Sequence, residues 1–316
     1  MKRIIVFGVI AAFFFSSTFA INRWLNVQEG GHWFWTASLR YLYVFFLLSI
    51  LVVVFYGVNK YTQTLKCFFK YWYFWVFSGG IGFGAFYLLL CYAASYSAGW
   101  VLATTWQITI LMTPVIIFIL GNKVSLKGII FLIIMFSGIL LVNYEEFKSI
   151  ALIDLKSILP ITVAAFCYPL GNTLCKYGCE GRYKRMPIHD FEISQNIFSQ
   201  ILLMAMGSLP ILIVVGVLVS PDNPTYSQVY CTAIVALLTG VIATSCLYKA
   251  RQLSRDNPFA LSAADGTQAF EAPLALFWEW LLFNGVLPSF IGYIGLSLVI
   301  IGIVLFYRTN IDLSNG

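Results

Sequence analysis

Residues Phe259–Phe283 read FALSAADGTQAFEAPLALFWEWLLF. At a helical rise of about 1.5 Å per residue the stretch is long enough to cross a bilayer. It is apolar at both ends, yet Asp265, Gln268 and Glu271 lie in its interior. A carboxylate at membrane depth costs free energy, so it faces a partner or a water-filled path and marks function. Pro273 follows at once. It removes the helical hydrogen bond to the Ala269 carbonyl and predicts a kink beside the acids.

The rest of the chain has the same solvent. Of its 316 residues 60% are hydrophobic and 10% charged, and the mean hydropathy is +0.86. A soluble domain carries roughly 25% charged residues. The composition predicts an all-α integral membrane protein whose main partner is the lipid bilayer. The net charge of +6 sits in short loops between apolar runs, so topology accounts for it and nucleic acid is excluded as a partner. Cys91, Cys167, Cys175, Cys231 and Cys246 fall in or at the ends of apolar runs and read as small hydrophobes. His32 and His189 are the only histidines, and both fall in loops. Neither a metal nor a cofactor is expected. Met1-Lys2-Arg3, the following apolar run and Thr18-Phe19-Ala20 mimic a cleavable signal peptide. Retention is expected instead, because this segment has a counterpart later in the chain.

Apolar runs of about 17–25 residues are transmembrane candidates. Ten are expected: Ile4–Ile21, Trp33–Gly57, Trp72–Tyr92, Gly99–Leu120, Gly128–Val142, Ile158–Leu174, Ile193–Val219, Val229–Tyr248, Phe259–Phe283 and Leu287–Tyr307. Cytoplasmic loops collect Lys and Arg. With the N-terminus inside, the inner segments hold Lys2, Arg3, Lys60, Lys66, Lys70, Lys123, Lys127, Lys176, Arg182, Lys184, Arg185, Lys249, Arg251, Arg255 and Arg308. The outer segments hold Arg23, Lys148 and Lys156, and Arg40 is the only basic residue read as deep in a span. Both termini are therefore expected in the cytoplasm.

The two ends of the chain repeat. AAFFFSSTFAINR from Ala11 matches AAFCYPLGNTLCK from Ala164, and GIIFLIIMFSGILL from Gly128 matches GYIGLSLVIIGIVL from Gly292. Pro114 and Pro273 precede the second pair. Residues 1–149 and 150–316 thus read as two five-helix repeats. An odd number of spans per repeat makes the second copy inverted, as in many secondary transporters whose substrate sits between the repeats. The loop Gly121–Lys127 carries two lysines where its counterpart carries none, as inversion requires.

Four segments add a resemblance: WTASLRY at Trp35–Tyr41, GWVLATTWQITI at Gly99–Ile110, AAFCYPLGN at Ala164–Asn172 and RDNPFALSAADGTQAFE at Arg255–Glu271. With the ten-span plan and the paired prolines they resemble the drug/metabolite transporter superfamily (EamA-like), and within it the multidrug resistance efflux transporter family. The resemblance implies a multi-pass exporter of the bacterial cytoplasmic (inner) membrane, driven by protons or another gradient. Asp265 stands where that pattern leads one to expect glutamate.

Trp106, Gln107, Thr109, Tyr168, Asn172 and Gln268 are the candidate cavity residues. Aromatic groups with hydrogen-bonding neighbours suit flat or cationic substrates; ordinary interhelical packing is the competing reading. Arg40, Asp265 and Glu271 are the candidate ion-pairing and coupling residues. Helix rise places Arg40 and Glu271 at a common depth, about 10–12 Å below the outer surface, so they are expected to pair in at least one state. Asp265 lies deeper toward the cytoplasm. Pro114 and Pro273 are the candidate hinges, and Gly79, Gly80, Gly82 and Gly84 allow close helix approach. No zinc-binding, nucleophile-elbow or nucleotide-loop motif occurs, so no enzyme is expected. The leading expectation is a secondary active exporter of small organic molecules, drugs or metabolites, working by alternating access with proton coupling. An amino-acid or nucleotide-like metabolite permease, and a passive channel or structural membrane protein, stay open.

Overall fold

The computed structural model describes residues 2–110, 155–179, 196–254, 258–284 and 287–315, with isolated positions between 112 and 144. Pro114 and the loop Gly121–Lys127 lie outside the described residues. Every regular element described is helical. Lipid offers no hydrogen-bond partners, so a spanning segment must satisfy its backbone internally.

We number the helices α1 (Lys2–Arg23, continued by a π-helical turn Trp24–Gln28), α2 (Trp33–Lys70), α3 (Trp72–Ala93), α4 (Gly99–Trp106), α5 (Leu155–Cys179), α6 (Ile197–Val219), α7 (Tyr226–Ser254), α8 (258–283) and α9 (Phe290–Asn315). Among the described residues six helices are long and apolar enough to cross a membrane by themselves: Lys2–Gln28, Trp33–Lys70, Trp72–Ala93, Leu155–Cys179, Ile197–Val219 and Tyr226–Ser254. The expected spans Gly99–Leu120 and Gly128–Val142 fall partly outside the described residues.

Two boundaries differ from the sequence expectation. Helix α2 does not end at Gly57. The chain turns there with φ 84° and ψ 162°, a conformation open to glycine, and resumes as helix to Lys70. Helix α7 passes Tyr248 and runs to Ser254, which carries Arg251 into the protein rather than into a loop. Arg251 is 5% exposed, so Arg40 is not the only buried basic residue. The apolar run alone cannot show this, because the partner that makes burial tolerable lies on another helix.

Helix α8 is built in three parts, Pro258–Gly266, a tightened 3-10 turn Thr267–Phe270 and Glu271–Phe283. Pro273 sits in the first turn of the last part, where its missing N–H is tolerated. The 3-10 turn lies directly before it and presents Gln268 and Glu271 inward, both buried.

Helix α1 packs along α7 and α8, α2 along α6, and α3 against α5 and α6. Small residues set the close crossings. Gly82 lies against Gly171, and a Cβ added at Gly207 would overlap the Trp75 carbonyl. Gly138 and Gly295 likewise abut, each facing the other's carbonyl.

Candidate substrate cavity

The expected residues Arg40, Trp106, Tyr168, Gln268 and Glu271 border one internal cavity. Its remaining wall comes from Phe15, Thr18 and Phe19 of α1 and Phe86, Tyr87 and Leu90 of α3. Helices α1, α2, α3, α4, α5 and α8 therefore all contribute. The cavity is contracted to about 20 Å³, room for about one water-sized body. Phe86, Trp106 and Tyr168 close it as a triangle of rings. Their centroids are 5.4 Å (Phe86–Trp106), 4.8 Å (Phe86–Tyr168) and 5.4 Å (Trp106–Tyr168) apart, within the range of favourable aromatic pairs.

Arg40 is 3% exposed. Its guanidinium carbon lies 3.9 Å from the Tyr87 ring centroid and 5.5 Å from that of Tyr41. The Tyr87 hydroxyl is fixed in turn by Thr18 Oγ1 at 2.7 Å and by the Asn22 amide, which donates to it at 3.1 Å. Arg40 Nε has no hydrogen-bond partner. Among the described residues no ion pair joins Arg40 to a carboxylate. A desolvated cation–π contact is worth about 2 kcal/mol, whereas burying a charge costs several. The rings alone do not balance this guanidinium.

Glu271 is 2% exposed, and its carboxylate is approached by the Trp106 indole N–H. Gln268 is 1% exposed. The Tyr168 hydroxyl lies near its amide, yet neither amide atom completes a hydrogen bond. The lining thus offers a cation, a carboxylate and an amide able to donate and accept.

The other candidates are placed elsewhere. Both oxygens of Asp265 are held by Arg251. Asn172 donates to the Tyr168 carbonyl at 2.8 Å and accepts from the Tyr248 hydroxyl at 2.7 Å. The Thr109 hydroxyl donates to the Ala165 carbonyl at 3.2 Å. Gln107 donates from Nε2 to the Ala103 carbonyl at 2.7 Å, while its Oε1 lacks a partner.

Two functional-looking charges escaped the sequence reading. Arg251 was grouped with loop cations because it follows an apolar run. Glu279 sits in the same stretch as Asp265 and Glu271 and is 6% exposed. It accepts from the backbone N–H of Gly99 at 3.3 Å and Trp100 at 2.9 Å, and lies 3.7 Å from Arg23 Nε. A carboxylate on the first N–H groups of a helix is favourable for both. The signal was available: a further acid inside the span needs a partner as much as the first two.

Comparison with known proteins agrees with this architecture. The family model described as "EmrE: Putative multidrug resistance efflux transporter" matches residues 1–311. The uncharacterized protein YjlA of Bacillus subtilis (strain 168) is 32% identical over 96% of this chain and 94% of its own. An uncharacterized 42.1 kDa protein of Shouchella clausii, named for its place in the intracellular alkaline protease 3' region, is 31% identical over 86% of this chain and 70% of its own. One solved crystal structure aligns over 98% of both chains with a TM-score of 0.64 at 13% identity, a likeness of fold alone. A polytopic helical chain with a charged aromatic cavity, matched from end to end by one family, belongs to the EmrE-like multidrug resistance efflux transporter family of the drug/metabolite transporter superfamily.

Proposed function

We propose that this protein is a proton-coupled secondary exporter of small organic molecules. It works by alternating access in the bacterial cytoplasmic membrane, with ten spans in two inverted halves, 1–149 and 150–316, and both termini inside. The observation that carries the reading is the contracted aromatic cavity, bordered by the buried Arg40 and Glu271, where helices from both halves meet.

The packing supports two related halves. Helix α3 carries a π-helical stretch at Gly80–Ala85 and lies on α5 and α6; α7 carries one at Ala236–Ala243 and lies on α1 and α2. Helix α2 meets α6 and α4 meets α8. Exchanging α1–α4 for α5–α8 reproduces these contacts. An Asn–Tyr hydrogen bond joins the first and third helix of each half, Asn22 to Tyr87 and Asn172 to Tyr248.

Alternating access needs a barrier on each side of the site. Arg23, Glu279 and the start of α4 form one, and Arg251 with Asp265 the other. Glu271 is the proton site in this scheme: it takes up and releases the coupled proton as the site alternates between the two sides.

Purified protein in liposomes tests the reading. Under an imposed pH gradient the wild type should accumulate a substrate against its own gradient. Glu271→Gln should still exchange substrate but lose pH-driven accumulation. Equal accumulation by this variant would remove Glu271 as the coupling site. Flux that only runs downhill in the wild type would replace the carrier with a channel.

A further inference from the structure

Helix α2 turns at Gly57, and the segment beyond it, 58–70, exceeds what a bilayer needs. Trp33–Gly57 alone rises about 37 Å at 1.5 Å per residue, enough for a hydrocarbon core of about 30 Å. The Phe198 ring, in the first turn of α6, meets the rings of Phe55 and Tyr56 at 6.4 and 6.2 Å between centroids. The turn at Gly57 is therefore level with the end of a second membrane helix. Further on, the Thr64 hydroxyl lies 2.9 Å from that of Ser199, again in the first turn of α6. The segment ends at Tyr71, where α3 begins its own crossing at Trp72. Its start, middle and end are all tied to the same membrane surface, so it runs along that surface instead of leaving it.

Its residues form three strips. At about 100° per residue, Thr64 and Cys67 turn toward the protein, and both are buried. Val58 and Phe69 fall within about 20° of each other. Both are apolar and exposed, Phe69 at 69%. Lys66 and Lys70 stand one turn apart on the adjoining strip, about 40° from each other. Among the described residues neither lysine is ion-paired with a carboxylate, and Lys70 Nζ lies 5.1 Å from the Tyr71 ring centroid. Trp72 and Tyr73, both exposed, follow at once, rings of the kind that settle among lipid headgroups.

A helix with a protein face, an apolar edge and a basic edge lies in the membrane interface. A soluble anion would satisfy the lysines and leave Val58 and Phe69 in water. A zwitterionic lipid would cover the apolar edge and bring its own cation to the lysines. A lipid with a net negative headgroup meets both strips. We infer that segment 58–70 is an interfacial helix that binds an anionic phospholipid, its phosphate held by Lys66 and Lys70 and its acyl chains packed on Val58 and Phe69. This goes beyond transport and holds whichever way the protein faces.

Quenching of a fluorophore at position 69 tests this. Phe69→Cys carries bimane in a background freed of the seven native cysteines. The protein sits in phosphatidylcholine liposomes that contain a small, equal fraction of lipid brominated on its chains, either phosphatidylglycerol or phosphatidylcholine. Both should quench, because the strip lies on lipid. Brominated phosphatidylglycerol should be about fivefold more effective, the worth of one lysine at an anionic surface. Raising the salt should shrink that preference. Lys66→Gln with Lys70→Gln should abolish it while leaving the quenching by phosphatidylcholine intact. No quenching by either lipid would lift the segment off the membrane and overturn the inference. Equal quenching by both with the lysines in place, or a preference that survives the double substitution, would also overturn it. The lipids that stay on the protein through native mass spectrometry give a second reading without any cysteine change. The natural chain should keep more phosphatidylglycerol than the Lys66→Gln, Lys70→Gln variant, and equal retention would count against the site in the same way.

Discussion

Arg251 grips Asp265 with two parallel hydrogen bonds, Nε to Oδ1 and Nη2 to Oδ2, each 2.7 Å long. The residues are 5% and 2% exposed, and they tie the C-terminal end of α7 to the first part of α8. A planar guanidinium matches two carboxylate oxygens at once, which no lysine does. The bond lies beside the cavity rather than in it. Asp265 is thereby engaged, and Glu271 is the carboxylate left facing the cavity.

Removing one member of a buried pair strands the other, so Arg251→Met should destabilise the protein by about 3–5 kcal/mol. Replacing both, as in Arg251→Met with Asp265→Leu, should recover much of that loss, because a well-packed apolar pair is often as stable as an ion pair. Unfolding of the purified protein in mixed micelles measures both. A double variant no more stable than Arg251→Met alone would show that the bond matters for reasons other than charge burial.

Glu279 supports a ranking. Its carboxylate accepts two backbone N–H groups at the start of α4. It lies 3.7 Å from Arg23, whose side chain is 33% exposed. Buried donors left without an acceptor cost about 1–3 kcal/mol, whereas a solvated ion pair contributes about 0–1 kcal/mol. Glu279→Ala should therefore cost clearly more stability than Arg23→Gln. Equal losses would make the ion pair, not the helix start, the main role of Glu279.

Much of this was legible in the sequence, and the misses share one cause. Apolar runs located the helices because lipid forces each span to satisfy its own backbone. The expected end of the second span fell on the break at Gly57, but the helical continuation to Lys70 was not readable from the apolar run. Polar residues in apolar runs pointed to the cavity, since Arg40, Trp106, Tyr168, Gln268 and Glu271 all border it. Which polar residues pair with each other was not readable. Arg251 and Asp265 meet only because α7 packs on α8, and Asn172 turns to Tyr248 only because α5 lies beside α7. Helical periodicity gives the face a residue occupies on its own helix, not the neighbour opposite.

Close helix crossings give a third expectation. A Cβ at Gly207 would overlap the Trp75 carbonyl, a rigid backbone atom, whereas one at Gly266 meets nothing within 4 Å. Gly207→Ala should force α3 and α6 apart and cost about 1–3 kcal/mol, as overpacking does. Gly266→Ala should be neutral or stabilising by about 0.5–1 kcal/mol, since alanine restricts the unfolded chain more. The same unfolding experiment reads both. Tolerance of Gly207→Ala would mean that the crossing adjusts more readily than its backbone contact indicates.

Membrane orientation is open to direct test. Lys60, Lys66 and Lys70 line the segment of α2 beyond Gly57, where Gln63 is exposed. Asn223, also exposed, lies between α6 and α7 in a segment, 220–227, without Lys or Arg. Basic loops stay in the cytoplasm, so these two positions should lie on opposite sides, Gln63 inside and Asn223 outside. Ser254, at the C-terminal end of α7, is a poor reporter, because it is 3% exposed and bonded to Lys176 and to the Arg251 carbonyl. Single cysteines at 63 and 223, in a background freed of the seven native cysteines, should answer an impermeant thiol reagent differently. Asn223→Cys should label in intact cells, and Gln63→Cys only after the membrane is opened. Labelling on the same side would contradict the odd number of crossings between them and the inverted plan with it. A clean reversal would keep the helices and turn the protein over, placing the Arg251–Asp265 bond at the outer face and making the Glu279 cluster the cytoplasmic barrier.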